Sequence, residues 1–155
     1  MQTLLAPIDF SGASDDVVQA ASELAGILGA RIVLLHVVQP PVVTSDFGVG
    51  LDNVQELMVI SEKAATKNLD RQKARLEKKG LETQTIVATG SPIASILKEA
   101  DRTKASYIVM GSHGHTAFYD LLVGSTTQGV LKRAKCPVMV LPTHAKAGKK
   151  ARKRK

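Results

Sequence analysis

Tryptophan is absent, and aromatic residues make up only 3% of the chain. An interior anchored on large rings is therefore excluded. The core must be filled by Val, Ile, Leu and Ala, the usual filling of a parallel sheet buried on both faces. A single cysteine, Cys136, can form no internal disulfide. That excludes a cross-linked secreted scaffold and makes a reducing compartment, by default the cytoplasm, the expected setting. No apolar run approaches the roughly 18 residues a membrane-crossing helix needs. The N-terminus lacks a basic stretch ahead of an apolar one, so no signal peptide is expected either, and no membrane partner.

Net charge is missing from most of the chain as well. The net charge is +7, yet Lys146 to Lys155 alone hold seven Lys or Arg and no acid. Without them the 21 basic residues fall to 14, matching the 14 acidic ones. The body is neutral and the basicity is one tail. Like charges in a block repel one another, so residues 144–155 are expected to be disordered and to serve solubility. Nucleic-acid contact through the tail is the competing reading, disfavoured because no aromatic residue interleaves it.

What remains is a chain of 155 residues, 44% apolar and 23% charged, enough for one compact domain over residues 1–143. "TLLAPID", residues 3–9, predicts a short buried strand. Residues 13–29 carry Val17, Ala20, Ala21, Leu24, Ile27 and Leu28 at helical spacing, with Ser14 and two Asp at the start and Gly29 at the end. "RIVLLHVV", 31–38, is a second buried strand, and the Pro- and Gly-bearing stretch 39–51 a loop. A long amphipathic helix is predicted from Asp52 to Lys79, then a strand in "ETQTIVA". A helix follows with Ser91 as N-cap and Pro92 at its first position. "SYIVMG" is the fourth strand, Ser125 to Ala134 a helix, and "PVMVL", 137–141, the fifth strand. Strands alternating with helices predict an α/β, doubly wound parallel sheet. Ligands of such sheets sit beyond the strand carboxyl ends where the strand order reverses. The candidate reversal lies between the strand ending at Asp9 and the strand ending at Met110.

The loop entering at that point reads "GSHGHTAFYDLLVGSTT". Gly111 and Gly114 permit positive φ and leave backbone amides uncovered, as in an anion nest. Gly124 opens a helix whose first amides attract anions, and Ser125, Thr126 and Thr127 add hydroxyls. A polyphosphate would use all of these. A plain glycine turn followed by a hydroxyl cap is the competing reading.

The spacing G-x2-G-x9-G-S, here Gly111, Gly114, Gly124 and Ser125, resembles the ATP-binding signature of the universal stress protein family. "LLAPIDFSGASD" and "LLHVV" resemble that family's first two strands. "GSPIASILKEADRTKASYIVMGSHG" resembles its third helix and fourth strand, and "VLKRAKCPVMVL" its last helix and strand. The similarity spans residues 3–141, and the kept glycine spacing points to the family's ATP-binding branch. The resemblance implies a single Rossmann-like sheet of five strands in the order 3-2-1-4-5, and a homodimer paired through the last strand. It implies that Asp9 meets the ribose with Pro7 and Ile8 beside it, that Val37 reads adenine with its backbone, and that Met110 flanks the nucleoside. Gly111, His113, Gly114, Gly124, Ser125, Thr126 and Thr127 would surround the phosphates, with Mg2+ or Mn2+. The chain departs from many relatives between Gly114 and Gly124, where "HTAFYDLLV" holds Asp120 and no Lys or Arg; Asp120 is expected to face outward.

The remaining candidates have plainer readings. His36 lies within a strand and reads as a satisfied core histidine. His113 and His115 could touch phosphate but lack a third partner at metal-ligand spacing. Cys136 reads as structural, with Lys135 beside it able to lower its pKa. An edge strand at Val138, Met139, Val140 and Leu141 must be covered or paired, and two-fold pairing with a second copy would do that. Two functions compete. One is a nucleotide-dependent stress regulator that hydrolyses ATP slowly or not at all. The other is an ATP-hydrolysing enzyme, or one like the ATP pyrophosphatases of related fold, whose SGG-x-D-S loop "SGASD" faintly resembles. In that loop Ala13 and Asp16 stand where glycine and serine are needed. No Walker lysine, arginine clamp or evident base accompanies the glycine loop, and such groups supply most phosphoryl-transfer catalysis.

Overall fold

The computed structural model describes residues 1–41, 51–113 and 123–142. Gly114, His115, Asp120 and the basic tail lie outside the described residues. The described residues form β1 (Thr3–Pro7), α1 (Ser14–Leu28), β2 (Arg31–Val38), α2 (Leu51–Glu77), β3 (Thr83–Thr89), α3 (Pro92–Thr103), β4 (Tyr107–Gly111), α4 (Ser125–Leu131) and β5 (Val138–Leu141). The strands make one parallel sheet in the order β3-β2-β1-β4-β5. This is the expected doubly wound fold with its reversal between β1 and β4. No helix among the described residues is long and apolar enough to cross a membrane.

Strand periodicity sorts the core into two layers. Leu4 and Ala6 of β1, Ile32 and Leu34 of β2 and Val109 of β4 face one side, against Val17, Val18, Ala21 and Ala25 of α1 and Leu69 and Leu76 of α2. Leu5, Val33, Leu35, Ile108 and Met110 face the other, against Ile96 and Ala100 of α3 and Val130 of α4. Since both faces are sealed, the inner strands β1, β2 and β4 read as near-continuous apolar runs rather than alternating ones. Each fully buried aliphatic side chain contributes about 1.5–3 kcal/mol through removal from water. Right-handed crossovers place helices on opposite faces once the direction of winding reverses. That is why α1 and α2 share one face while α3 and α4 share the other.

Element ends differ from expectation for identifiable reasons. β1 stops at Pro7 rather than Asp9, because the chain turns at Phe10, whose φ is 62°. Ser14 is not a cap: Ala13 holds that position, and the Ser14 hydroxyl is given to Asp9 at 3.2 Å. Ser91 does occupy the N-cap of α3 ahead of Pro92, but makes no capping side-chain bond. α4 ends at Leu131, three residues short of the expected Ala134. Gly29 ends α1 with φ 60° and gives its amide to the Ala25 carbonyl, a left-handed C-cap that glycine adopts without the Cβ penalty.

The layers make a direct prediction. Leu34 is fully buried and Ile27 is 81% exposed. Leu34→Ala should lower the unfolding free energy in urea by about 2–5 kcal/mol, whereas Ile27→Ala should stay within about 0.5 kcal/mol of the parent.

Candidate functional site

β1 and β4 are neighbours, yet their ladder pairs only Leu4 with Tyr107 and Leu5 with Ile108 before it stops. The backbone of β1 alternates between its neighbours. The Ile8 amide donates to the Leu35 carbonyl of β2 at 2.8 Å, and the Thr3 carbonyl accepts from Ser106, just before β4, at 2.8 Å. The odd positions therefore face β4, and at the third of them stands Pro7, which has no N–H to donate. Beyond it the two strands lead to helices on opposite faces, and a crevice of about 280 Å3 opens at the carboxyl rim of the sheet.

Eleven of the expected nucleotide-site residues line this crevice. Pro7, Ile8 and Asp9 form the wall at the end of β1, and Val37 the rim of β2. Met110, Gly111 and His113 come from the end of β4, and Gly124, Ser125, Thr126 and Thr127 from the start of α4. The twelfth, Gly114, is outside the described residues. Several lining residues were not expected, among them Ser14, Gln39 and Pro92. His36, read as a core residue, is also a wall residue. It is half-buried and satisfied, since its Nδ1 donates to the Ile8 carbonyl at 2.8 Å. Its adjacency to Val37 at a strand end was the signal that could have found it.

Asp9 is held in a tight turn, its Oδ1 accepting the Ser11 amide at 3.0 Å and the Ser14 hydroxyl at 3.2 Å. Across the crevice the glycine loop is clasped at its base. The Gly124 amide donates to the Ser112 carbonyl at 2.7 Å, and the Ser112 amide donates to Leu141 at 2.7 Å. A Cβ at residue 124 would stand 3.3 Å from the Ser112 carbonyl oxygen. Close approach, not special dihedrals, is thus what Gly124 supplies; its φ is −68°. The positive φ expected of Gly111 is corrected too. That residue ends β4 in register with Leu141, and the glycines with positive φ among the described residues are Gly29, Gly80 and Gly90. The Thr127 hydroxyl, expected as a ligand donor, is given to the Gly111 carbonyl at 2.9 Å. It staples α4 to the end of β4.

Among the described residues no Lys or Arg lines the crevice, and no group of three His, Cys, Asp or Glu could hold a metal ion. Asp15, in the "SGASD" stretch, is turned away toward α2, where Gln72 and Arg75 reach it at 3.1 and 3.4 Å. Cys136 is half-buried, as expected of a structural thiol. Burial and the charge of Asp101 push its thiol above the ordinary range, while its own backbone hydrogen bond pulls the other way. Lys135 does not lower it, because its ammonium is paired with Asp101 at 2.8 Å.

The profile of the universal stress protein family matches residues 1–142. Universal stress protein YxiE of Bacillus subtilis is 32% identical over 143 residues, covering 89% of this chain and 97% of the relative. The solved structure of MJ0577 superposes with a TM-score of 0.81 at 26% identity, covering 93% of this chain and 97% of that one; MJ0577 is a universal stress protein of Methanocaldococcus jannaschii. A universal stress protein from Archaeoglobus fulgidus, solved in complex with dAMP, shares the fold at TM-score 0.62 and 22% identity over 90% of this chain and 96% of its own.

The Thr127 staple can be tested without any ligand. Thr127 is 3% exposed but Gly111 is half-buried, so Thr127→Val should remove that donor from a carbonyl that keeps some access to water. The expected loss of stability in urea is about 0.5–1.5 kcal/mol.

Proposed function

The chain belongs to the universal stress protein family, and from that premise we propose that its crevice holds ATP, with Mg2+ or Mn2+ on the phosphates, and that occupancy acts as a signal in a stress response. The observation that carries this reading is the convergence, on one crevice at the strand reversal, of an acidic turn and a clasped glycine loop. Asp9 can only accept hydrogen bonds when ionised, which suits sugar hydroxyls and repels phosphate. Val37 lies at the rim of β2, where its backbone would read the adenine edge, and Met110 would pack against the nucleoside beside Pro7 and Ile8. Gly111, His113, Gly114, Gly124, Ser125, Thr126 and Thr127 would surround the phosphates. In an α-helix the first amides have no partner within the helix, so Thr127 would contribute its main-chain N–H, its hydroxyl being engaged. When bound, ATP supplies a polyanion that the surrounding amides and hydroxyls orient and the divalent cation neutralises. The Archaeoglobus fulgidus neighbour was solved with dAMP. At its level of identity it speaks for the fold, and the case for a nucleotide here is made by the crevice.

Signalling requires the ligand to bind one conformation better than another. A homodimer supplies a second element that such a preference could bias. β5 is bonded to β4 on one side. The Pro137 and Leu141 carbonyls both accept from the β4 side, so Met139, lying between them in the alternation, shares that direction. Val138 and Val140 therefore aim their amides at the open edge, where the same strand of a second copy would fit antiparallel.

Two measurements test these proposals. Gly114→Val should weaken ATP binding on the order of a hundredfold, equivalent to about 2.7 kcal/mol, with circular dichroism unchanged. Undiminished retention of ATP would count against the phosphate assignment, and wild-type phosphate release faster than about one per second would favour an enzyme. Val140→Pro removes an edge amide without touching the ladder to β4, a place where proline is tolerated. Analytical ultracentrifugation should show the parent as a dimer and Val140→Pro as a monomer.

A further inference from the structure

The turn that carries Asp9 is bent around a pair of rings. Phe10 has a φ of 62°, a left-handed backbone that a bulky side chain rarely adopts. Its ring stacks on the imidazole of His36, with centroids 4.3 Å apart and planes inclined by 24°. The same imidazole donates from Nδ1 to the Ile8 carbonyl at 2.8 Å. One side chain therefore grips both residues flanking Asp9, Ile8 by a hydrogen bond and Phe10 by ring contact. We infer that His36, together with Phe10, is a positioning pair that aims the Asp9 carboxylate at the sugar hydroxyls of a bound nucleoside and so sets the preference for a ribose. The inference rests on the nucleotide reading given above and deepens it.

Three features support this role over a merely structural one. A turn that needed only a left-handed residue would be served better by glycine or asparagine than by phenylalanine. The ring is useful there because it lies on His36. Second, a carbonyl can only accept, so Nδ1 must carry a hydrogen, and it does so in both the neutral and the charged ring. Third, the carboxylate cannot swing independently of the turn, because Oδ1 accepts from the Ser11 amide at 3.0 Å and the Ser14 hydroxyl at 3.2 Å. Moving Ile8 or Phe10 moves those donors, and with them the plane of the carboxylate. His36 and Asp9 both line the crevice, so a displacement of the turn is a displacement of the site wall.

The test compares ATP with 2′,3′-dideoxy-ATP, which lacks the sugar hydroxyls, by calorimetry with Mg2+. His36→Ala should weaken ATP roughly tenfold, the loss expected for a misplaced hydrogen bond to a charged group, while dideoxy-ATP changes less than about twofold. His36→Asn, whose amide can replace the Nδ1 donor, should restore part of the preference. Phe10→Gly, which accepts the left-handed backbone but removes the ring, should lose it again and supplies the comparison should His36→Ala fail to fold. A readout free of nucleotide accompanies these: hydrogen exchange at the Ser11 amide should quicken in His36→Ala and less so in His36→Asn. Folded variants that keep the parental ATP preference, lose both nucleotides equally, or protect the Ser11 amide as the parent does would overturn the positioning role. A wild-type chain that binds neither nucleotide would overturn the ribose assignment along with the nucleotide reading, and the Ser11 exchange would then decide separately whether His36 holds the turn.

Discussion

Pro7 has no amide hydrogen, and the alternation of β1 turns its nitrogen toward β4. The ladder between the two central strands stops at Leu5 and Ile108. The rim of the sheet opens from that early parting. A parallel sheet sealed by helices on both faces offers a ligand few openings, since its core is packed and its strands bury their side chains both ways. The opening has to be where the winding reverses, because the connections after β1 and β4 then leave toward opposite faces. Pro7 lets the strands separate before they end, so the crevice reaches down to Met110 and the side chains that follow Pro7.

The two ends of the crevice are built by different means, and the difference gives it a direction. The end near β1 is shaped by side chains: the Asp9 carboxylate, the Ser14 hydroxyl and the His36–Phe10 stack. The end near α4 is shaped by main chain, with the Gly124 amide on the Ser112 carbonyl and the Thr127 hydroxyl on the Gly111 carbonyl. An anion placed beside Asp9 would meet like charge in a partly desolvated place, where screening is weak. The same anion near the start of α4 meets amides. In the proposed reading, a ligand with a hydroxylated middle and an anionic end is placed with its sugar toward β1 and its phosphates toward α4. That orientation comes from polarity alone. It does not call on a lysine or arginine, none of which lines the crevice among the described residues.

Much of this was legible in the sequence, and the parts that were not share a cause. The unbroken apolar runs "LLAPI", "RIVLLHVV" and "YIVM" reveal buried parallel strands because both faces must be covered. The glycine spacing reveals the loop because backbones approach closely there. What local pattern does not carry is the partner of each polar group. Ser14 looks like a helix cap and bonds Asp9 instead. Thr127 looks like a phosphate donor and bonds Gly111. Lys135 looks like an activator of Cys136 and is taken by Asp101, from α3. His36 looks like core and forms a wall. Thr127, Lys135 and His36 are settled by residues 16 to 34 positions away, brought near by the sheet order, and Ser14 by a residue five positions back in the turn that joins β1 to α1. Gly129 is likewise explained by another element, since a Cβ there would come within 3.0 Å of Ile93 Cγ1. Its bareness lets α4 lie close on α3.

The composition of the walls also bears on whether such a site would hold its ligand or transform it. A rate is raised only by contacts that strengthen as the transition state forms. Contacts that hold substrate and transition state to similar degrees raise affinity and leave the chemical barrier nearly where it was. Phosphoryl transfer draws most of its acceleration from cations and a positioned nucleophile at the bond that breaks. In the reading proposed here, the nucleotide is useful for being retained, and its effect is a shift between conformations as large as the difference in its affinity for them. The stiffness of the β1 turn then has a purpose. A carboxylate that keeps its aim when the site is empty spends little conformational entropy when the ligand arrives, so more of each contact appears as affinity.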